Sequence, residues 1–86
     1  MEILRVGAKT NPNSLAGAIA GTMREHKDVT MQAIGAGAVG QAIKAVAIAK
    51  GFLSPSGIEI CIVPSFREIE MEERTMTVIM LEVRRL

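Results

Sequence analysis

Gly35-Ala36-Gly37-Ala38-Val39-Gly40 matches the spacing G-x-G-x-x-G. Glycines so spaced let a backbone come close to a phosphate where a strand gives way to a helix. Lys9 and Thr10 end a first predicted strand, and the Gly35–Gly37 turn ends a second. Parallel strands bring both to one carboxyl edge, where open α/β sheets bind ligands. Gln41 and Lys44 are three apart and share a helix face. With Arg5 as a further cation, Arg5, Lys9, Thr10, Gly35, Gly37, Gln41 and Lys44 form a candidate phosphate-binding surface.

A dinucleotide reading also needs an acid about 20 residues beyond the glycines, and Glu59 lies near that distance. Glu59 opens its strand, however, whereas a ribose contact requires the far end, and the second half of a dinucleotide fold is missing. A nucleotide or other small-molecule site at Gly35–Gly40 therefore ranks behind contact with a nucleic-acid backbone.

Other reactive side chains point to no catalysis. His26 falls near the end of a helix, where it reads as a cation on the dipole, with no serine or aspartate spaced for a triad. Cys61, between Ile60 and Ile62, reads as a small apolar residue with nothing to activate its thiolate. A single cysteine allows no internal disulfide, and with a single histidine it makes a zinc site within one chain implausible. Glu68, Glu70, Glu72 and Glu73 read as a solvated charged connection. The expectation is a non-enzyme with no cofactor and no metal.

The elements that hold these residues follow from the patterning. Residues 2–8 alternate: Leu4, Val6 and Ala8 face one side, with Glu2, Arg5 and Lys9 near the other. Asn11-Pro12-Asn13 starts a helix reaching about His26, with Leu15, Ile19 and Met23 recurring every four residues. Residues 29–34 form a second strand, and a second helix runs to about Lys50 with Gly51 placed to end it. Residues 58–66 and 75–84 read as the third and fourth strands, joined by a short charged connection over 67–74. The order is β-α-β-α-β-β. The fold class is α/β, a two-layer sandwich with two helices on one face of a four-stranded mixed sheet, the first three strands parallel and the fourth antiparallel.

Eighty-six residues make one domain, 1–86, and so small a domain is marginal alone. Hydrophobic residues are 49% and aromatics 2%, so the core is aliphatic. No uncharged apolar stretch reaches about 18–20 residues, so no membrane span is expected. MEILRV is unlike a leader peptide, and a cytoplasmic location is expected. The second helix is apolar nearly all round, with Gln41, Lys44 and Lys50 as its few polar side chains. One side meets the sheet and the other needs a partner. Val39, Ile43, Ala47 and Ile48 are the candidate interface of a homodimer or higher homo-oligomer.

Met1-Glu2-Ile3-Leu4-Arg5-Val6, Asn11-Pro12-Asn13-Ser14-Leu15-Ala16-Gly17-Ala18, Gln32-Ala33-Ile34-Gly35-Ala36-Gly37-Ala38, Gln41 to Ala49 and Pro55-Ser56-Gly57 resemble the stage V sporulation protein S family. That family is in turn similar to the Alba fold, a dimer that binds DNA or RNA. The resemblance implies a regulatory role in sporulation or development. It also implies binding residues in the first loop, where Lys9 and Thr10 precede Pro12, and on the second helix, where Gln41 takes a basic position with Lys44 a turn further on. The usual basic arm between the last two strands is here net −2 over 67–74. Residues 1–58 carry six cations and three acids, against four and six over 59–86. A dimer using Arg5, Lys9 and Lys44 neutralises about four to six phosphates, a log–log salt slope of about −4 to −5. The leading expectation is a regulator that contacts the phosphate backbone without strong sequence preference. The alternative is a protein-interaction module that has lost nucleic-acid binding.

Overall fold

A computed structural model describes residues 2–86. The elements are β1 (Glu2–Val6), α1 (Pro12–Arg24), β2 (Val29–Ala33), α2 (Ala36–Leu53), a single 3-10 turn (Ser54–Ser56), β3 (Ile60–Met71) and β4 (Arg74–Arg85). One mixed sheet holds them in the order β1-β2-β4-β3. β1 pairs parallel with β2, and β4 runs antiparallel to both β2 and β3. The first three strands thus share a direction, as the sequence predicts, with β4 inserted between β2 and β3.

Alternation decides the two faces. Val6, Val29, Met31, Ala33, Leu81 and Val83 point toward the helices and join the core. Ile3, Arg5, Thr30, Gln32, Val78, Met80 and Glu82 alternate with them and occupy the open face. The helices meet through small side chains. Ala16 and Ala20 of α1, and Ala38, Ala42, Ala45 and Ala49 of α2, are buried at 0–1% exposure. Ile19, Met31 and Leu53 supply the bulk that alanines cannot.

Local signals explain the boundaries. The Asn11 carboxamide oxygen accepts from the Asn13 and Ser14 N–H groups at 2.8 and 3.2 Å, and Pro12 opens α1. At the other end His26 adopts φ +62, while the His26 and Lys27 N–H groups donate to the carbonyls of Met23 and Thr22. This double closure normally places glycine where His26 sits. Arg24 donates to the Phe52 carbonyl and Arg85 to the Met23 carbonyl, so two of the cations tie helix ends into the body.

Three sequence expectations change. β1 ends at Val6, because residues 7–10 close a turn that takes Ala8 out of the strand. α2 continues through Gly51 to Leu53, and the chain leaves through the 3-10 turn, where the Gly57 N–H meets the Ser54 carbonyl. Burial of Leu53 against the core holds that extra turn in place of a stop at Gly51. The connection over 67–74 is not a loop. β3 and β4 stay paired from Ile60↔Arg85 to Met71↔Arg74, and only Glu72 and Glu73 turn.

α2 with its 3-10 extension is long and apolar enough to cross a membrane by length and composition. Its Ala38–Ala42–Ala45–Ala49–Leu53 stripe is packed inside the domain, and Lys44 and Lys50 are exposed.

Twelve paired residues span about 40 Å, more than the roughly 27 Å of an eighteen-residue helix. β2 stops at Ala33, opposite Ile79, so 67–78 form a two-stranded arm beyond the sheet. This arm lengthens the molecule to 47 × 22 × 15 Å.

Candidate nucleic-acid interface

Lys9 stands on a small closed loop. The Thr10 N–H donates to the Gly7 carbonyl at 3.1 Å, and the Gly7 N–H donates to the Thr10 hydroxyl oxygen at 2.8 Å. Ala8 and Lys9 form the exposed tip. Thr10 therefore shapes the loop with its hydroxyl.

This loop is fastened to α2. The Gln41 side-chain amide donates to the Thr10 carbonyl at 2.8 Å, a partly buried bond across 31 residues. Beneath the tip lies Gly37: a Cβ there would come within 3.0 Å of the Ala8 Cβ. A side chain at 37 would push the loop away, so glycine permits the close approach. Gly35 sits at φ +90 and ψ 157, a conformation open to glycine and strained for other residues, and this turns the chain from β2 into α2. No side chain caps α2 there. Its first N–H groups, beside the lysine loop, carry the positive end of the helix dipole.

Lys9, Thr10, Gly35, Gly37 and Gln41 are thus one constellation at the rim where β1 and β2 end. Lys44 is exposed further along α2, on the flank that carries Gln41. Arg5 is elsewhere. Opposite Gln32 in the β1–β2 register, it lies on the open face, on the other side of the sheet from α2 and Lys44. Among the described residues, Lys9 and Lys44 have no hydrogen-bond or ion-pair partner. Arg84, by contrast, is bonded to Glu82, first by a hydrogen bond and then by charge, which raises its pKa above its ordinary value. It stays charged across the physiological range but is committed to that pair.

The arm leaves from the same rim, since Val6, Ala33 and Ile79 lie side by side at the carboxyl ends of β1 and β2. Alternation divides its residues. Phe66, Glu68 and Glu70 lie on the helix side, and Arg67, Ile69 and Met71 on the open side. Phe66 is 78% exposed. Glu68 and Glu70 therefore share one face of the arm, which rises from the β3 side of the sheet while the lysine loop follows β1. A strand reading of Arg67-Glu68-Ile69-Glu70-Met71, alternating charge with apolar residues, is the signal in the sequence that locates them.

The candidate self-association residues lie along α2. Ile43 is 46% exposed, Ala47 is exposed, and Val39 and Ile48 are half-buried and packed at the margin of the core. Val39, Ile43 and Ala47 form a single apolar ridge at i, i+4 and i+8, and Ile48 is turned toward the body.

A four-stranded mixed sheet with two helices on one face and a projecting final hairpin is an Alba-like fold. The structure is similar to Alba from Thermoplasma volcanium, with a TM-score of 0.63, 17% sequence identity and 94% of each chain covered. At that identity the likeness speaks for the fold. The family follows from the sequence itself: residues 2–86 match stage V sporulation protein S (SpoVS), and the chain belongs to that family.

Proposed function

We propose that the protein is a non-enzymatic regulator of sporulation or development that binds nucleic acid through the phosphate backbone, acting in the cytoplasm as a homodimer. One observation carries this reading. The Lys9 loop is bonded to α2 and seated on Gly37, so an unpaired ammonium stands beside uncapped helix N–H groups. That combination attracts a phosphate by charge and by hydrogen bonding. Contacts of this kind go to the backbone and carry no sequence information, so no strong sequence preference follows. The Val39–Ile43–Ala47 ridge offers the second copy a contact surface and brings two rims into one particle.

With Arg5 on the other layer, Lys9 and Lys44 are the cations available at this surface. Two copies neutralise about four phosphates, which sets a log–log salt slope of about −3.6. The arm favours a second reading, a protein-interaction module without nucleic-acid affinity, because the four glutamates it carries out from that rim repel phosphate. Titrating labelled duplex DNA and duplex RNA at low salt, with Lys9→Glu and Lys44→Glu beside the natural protein, separates the two. Binding that both reversals weaken about tenfold or more supports the first reading; no binding at 50 mM salt or below establishes the second.

A further inference from the structure

The open face of the sheet has a hollow of about 440 Å³ lined by Ile3, Arg5, Gln32, Arg67, Ile69 and Met80. Val78 and Met80 lie on this face and are buried although no helix covers it. Ile3 is 52% exposed beside them. Among the described residues, neither Arg5 nor Arg67 has an ion-pair or hydrogen-bond partner. Two guanidiniums in a groove whose lining is about half apolar, from Ile3, Ile69 and Met80, suit a partner that carries carboxylates next to an apolar group. A phosphate backbone would leave the apolar floor unused.

The chain itself carries that complement. Phe66, Glu68 and Glu70 share one face of the arm at i, i+2 and i+4, about 7 Å apart. Residues 67–74 are net −2, and Phe66, at the base of the arm, is a large hydrophobic side chain 78% exposed. Glu68 and Glu70 cannot reach their own groove, because Arg67 and Ile69 alternate with them on the back of the same strand, and Phe66 borders only the neighbouring hollow. We infer that the Phe66–Glu68–Glu70 face of one copy's arm docks in the Arg5–Arg67 groove of a second copy. Phe66 covers the apolar floor, and the carboxylates accept hydrogen bonds from the arginines. The two surfaces differ, so the contact is head-to-tail and extends into chains unless it closes into a ring. It uses neither the lysine rim nor the α2 ridge, so it stands apart from nucleic-acid binding and from the dimer.

Charge exchange tests it. Sedimentation velocity over a concentration series at low salt is predicted to show species larger than a dimer, which high salt disperses. Arg5→Glu and Glu70→Arg each weaken that assembly about tenfold or more. Mixing the two variants in equal amounts restores it, because the acidic face of one meets the basic arm of the other. Both positions are exposed, and thermal melts verify folding, with Arg5→Gln as the milder substitute. The inference is overturned if the natural protein never exceeds a dimer, if neither reversal changes its size, or if the mixture fails to reassemble. It is equally overturned if Arg5→Glu lowers duplex binding and leaves assembly unchanged, since nucleic acid is then the occupant of the groove.

Discussion

Gly37 and Gln41 do different work for the same loop. Gly37→Ala puts a methyl group 3.0 Å from Ala8 and moves the Lys9 tip outward by a few tenths of an ångström or more. Gln41→Ala removes the amide that holds the Thr10 carbonyl. A hydrogen bond of this kind contributes about 1 kcal/mol. For a domain this size that lowers the melting temperature by about 4–8 °C. Calorimetry is expected to show that loss for Gln41→Ala. Both substitutions should weaken duplex binding although neither removes a charge. Unchanged affinity in both would mean that the loop needs no positioning. The glycine pattern and Lys9 were legible in the sequence. Their physical connection was not: the approach of Ala8 to Gly37, and the bond from Gln41 to the loop, depend on how two distant segments pack.

The elements teach a similar lesson. Hydrophobic period and capping residues placed both helices and the first two strands, because Asn11, Pro12 and the alternation of β1 are local signals. The arm was hidden because Glu68, Glu70, Glu72 and Glu73 look like solvated loop, and no Asn-Gly or Asp-Gly marks the hairpin. Glu72 instead accepts φ +47. Gly51 misled in the other direction, since burial of Leu53 carried the helix past it. Strand alternation gives the face of Arg5 correctly but not which distant cations share that face, and Lys44 lies on the other layer. Strain at a helix end is testable here. His26 occupies a left-handed position where glycine meets no steric penalty. His26→Gly should stabilise the domain by about 1 kcal/mol. A melting temperature that falls would show that the imidazole makes an unrecognised contribution.

The whole molecule combines a small core, an apolar ridge and two opposed charge regions. A chain of 86 residues buries a modest share of its surface alone, and exposed Ile43 adds to the pressure to associate. Ile43→Asp places a charge in the centre of the ridge. Light scattering is expected to report the mass of one chain for this variant and of two for the natural protein at high salt, where contacts between charged surfaces are screened. Equal masses would remove the ridge from the account. The charge regions lie at one rim, with Lys9 and the α2 terminus toward β1 and the glutamate arm toward β3. A duplex approaching that rim meets attraction on one side and repulsion on the other, which weakens binding and orients it.

Where a duplex touches the protein is thus the central question, and amide chemical shifts answer it directly. A ¹⁵N-labelled sample titrated with a short duplex at low salt should move the Lys9 and Ala36–Ala38 amides most and leave residues 67–74 nearly still. Shifts concentrated in the arm with a silent rim, or no shifts at all, would contradict the account.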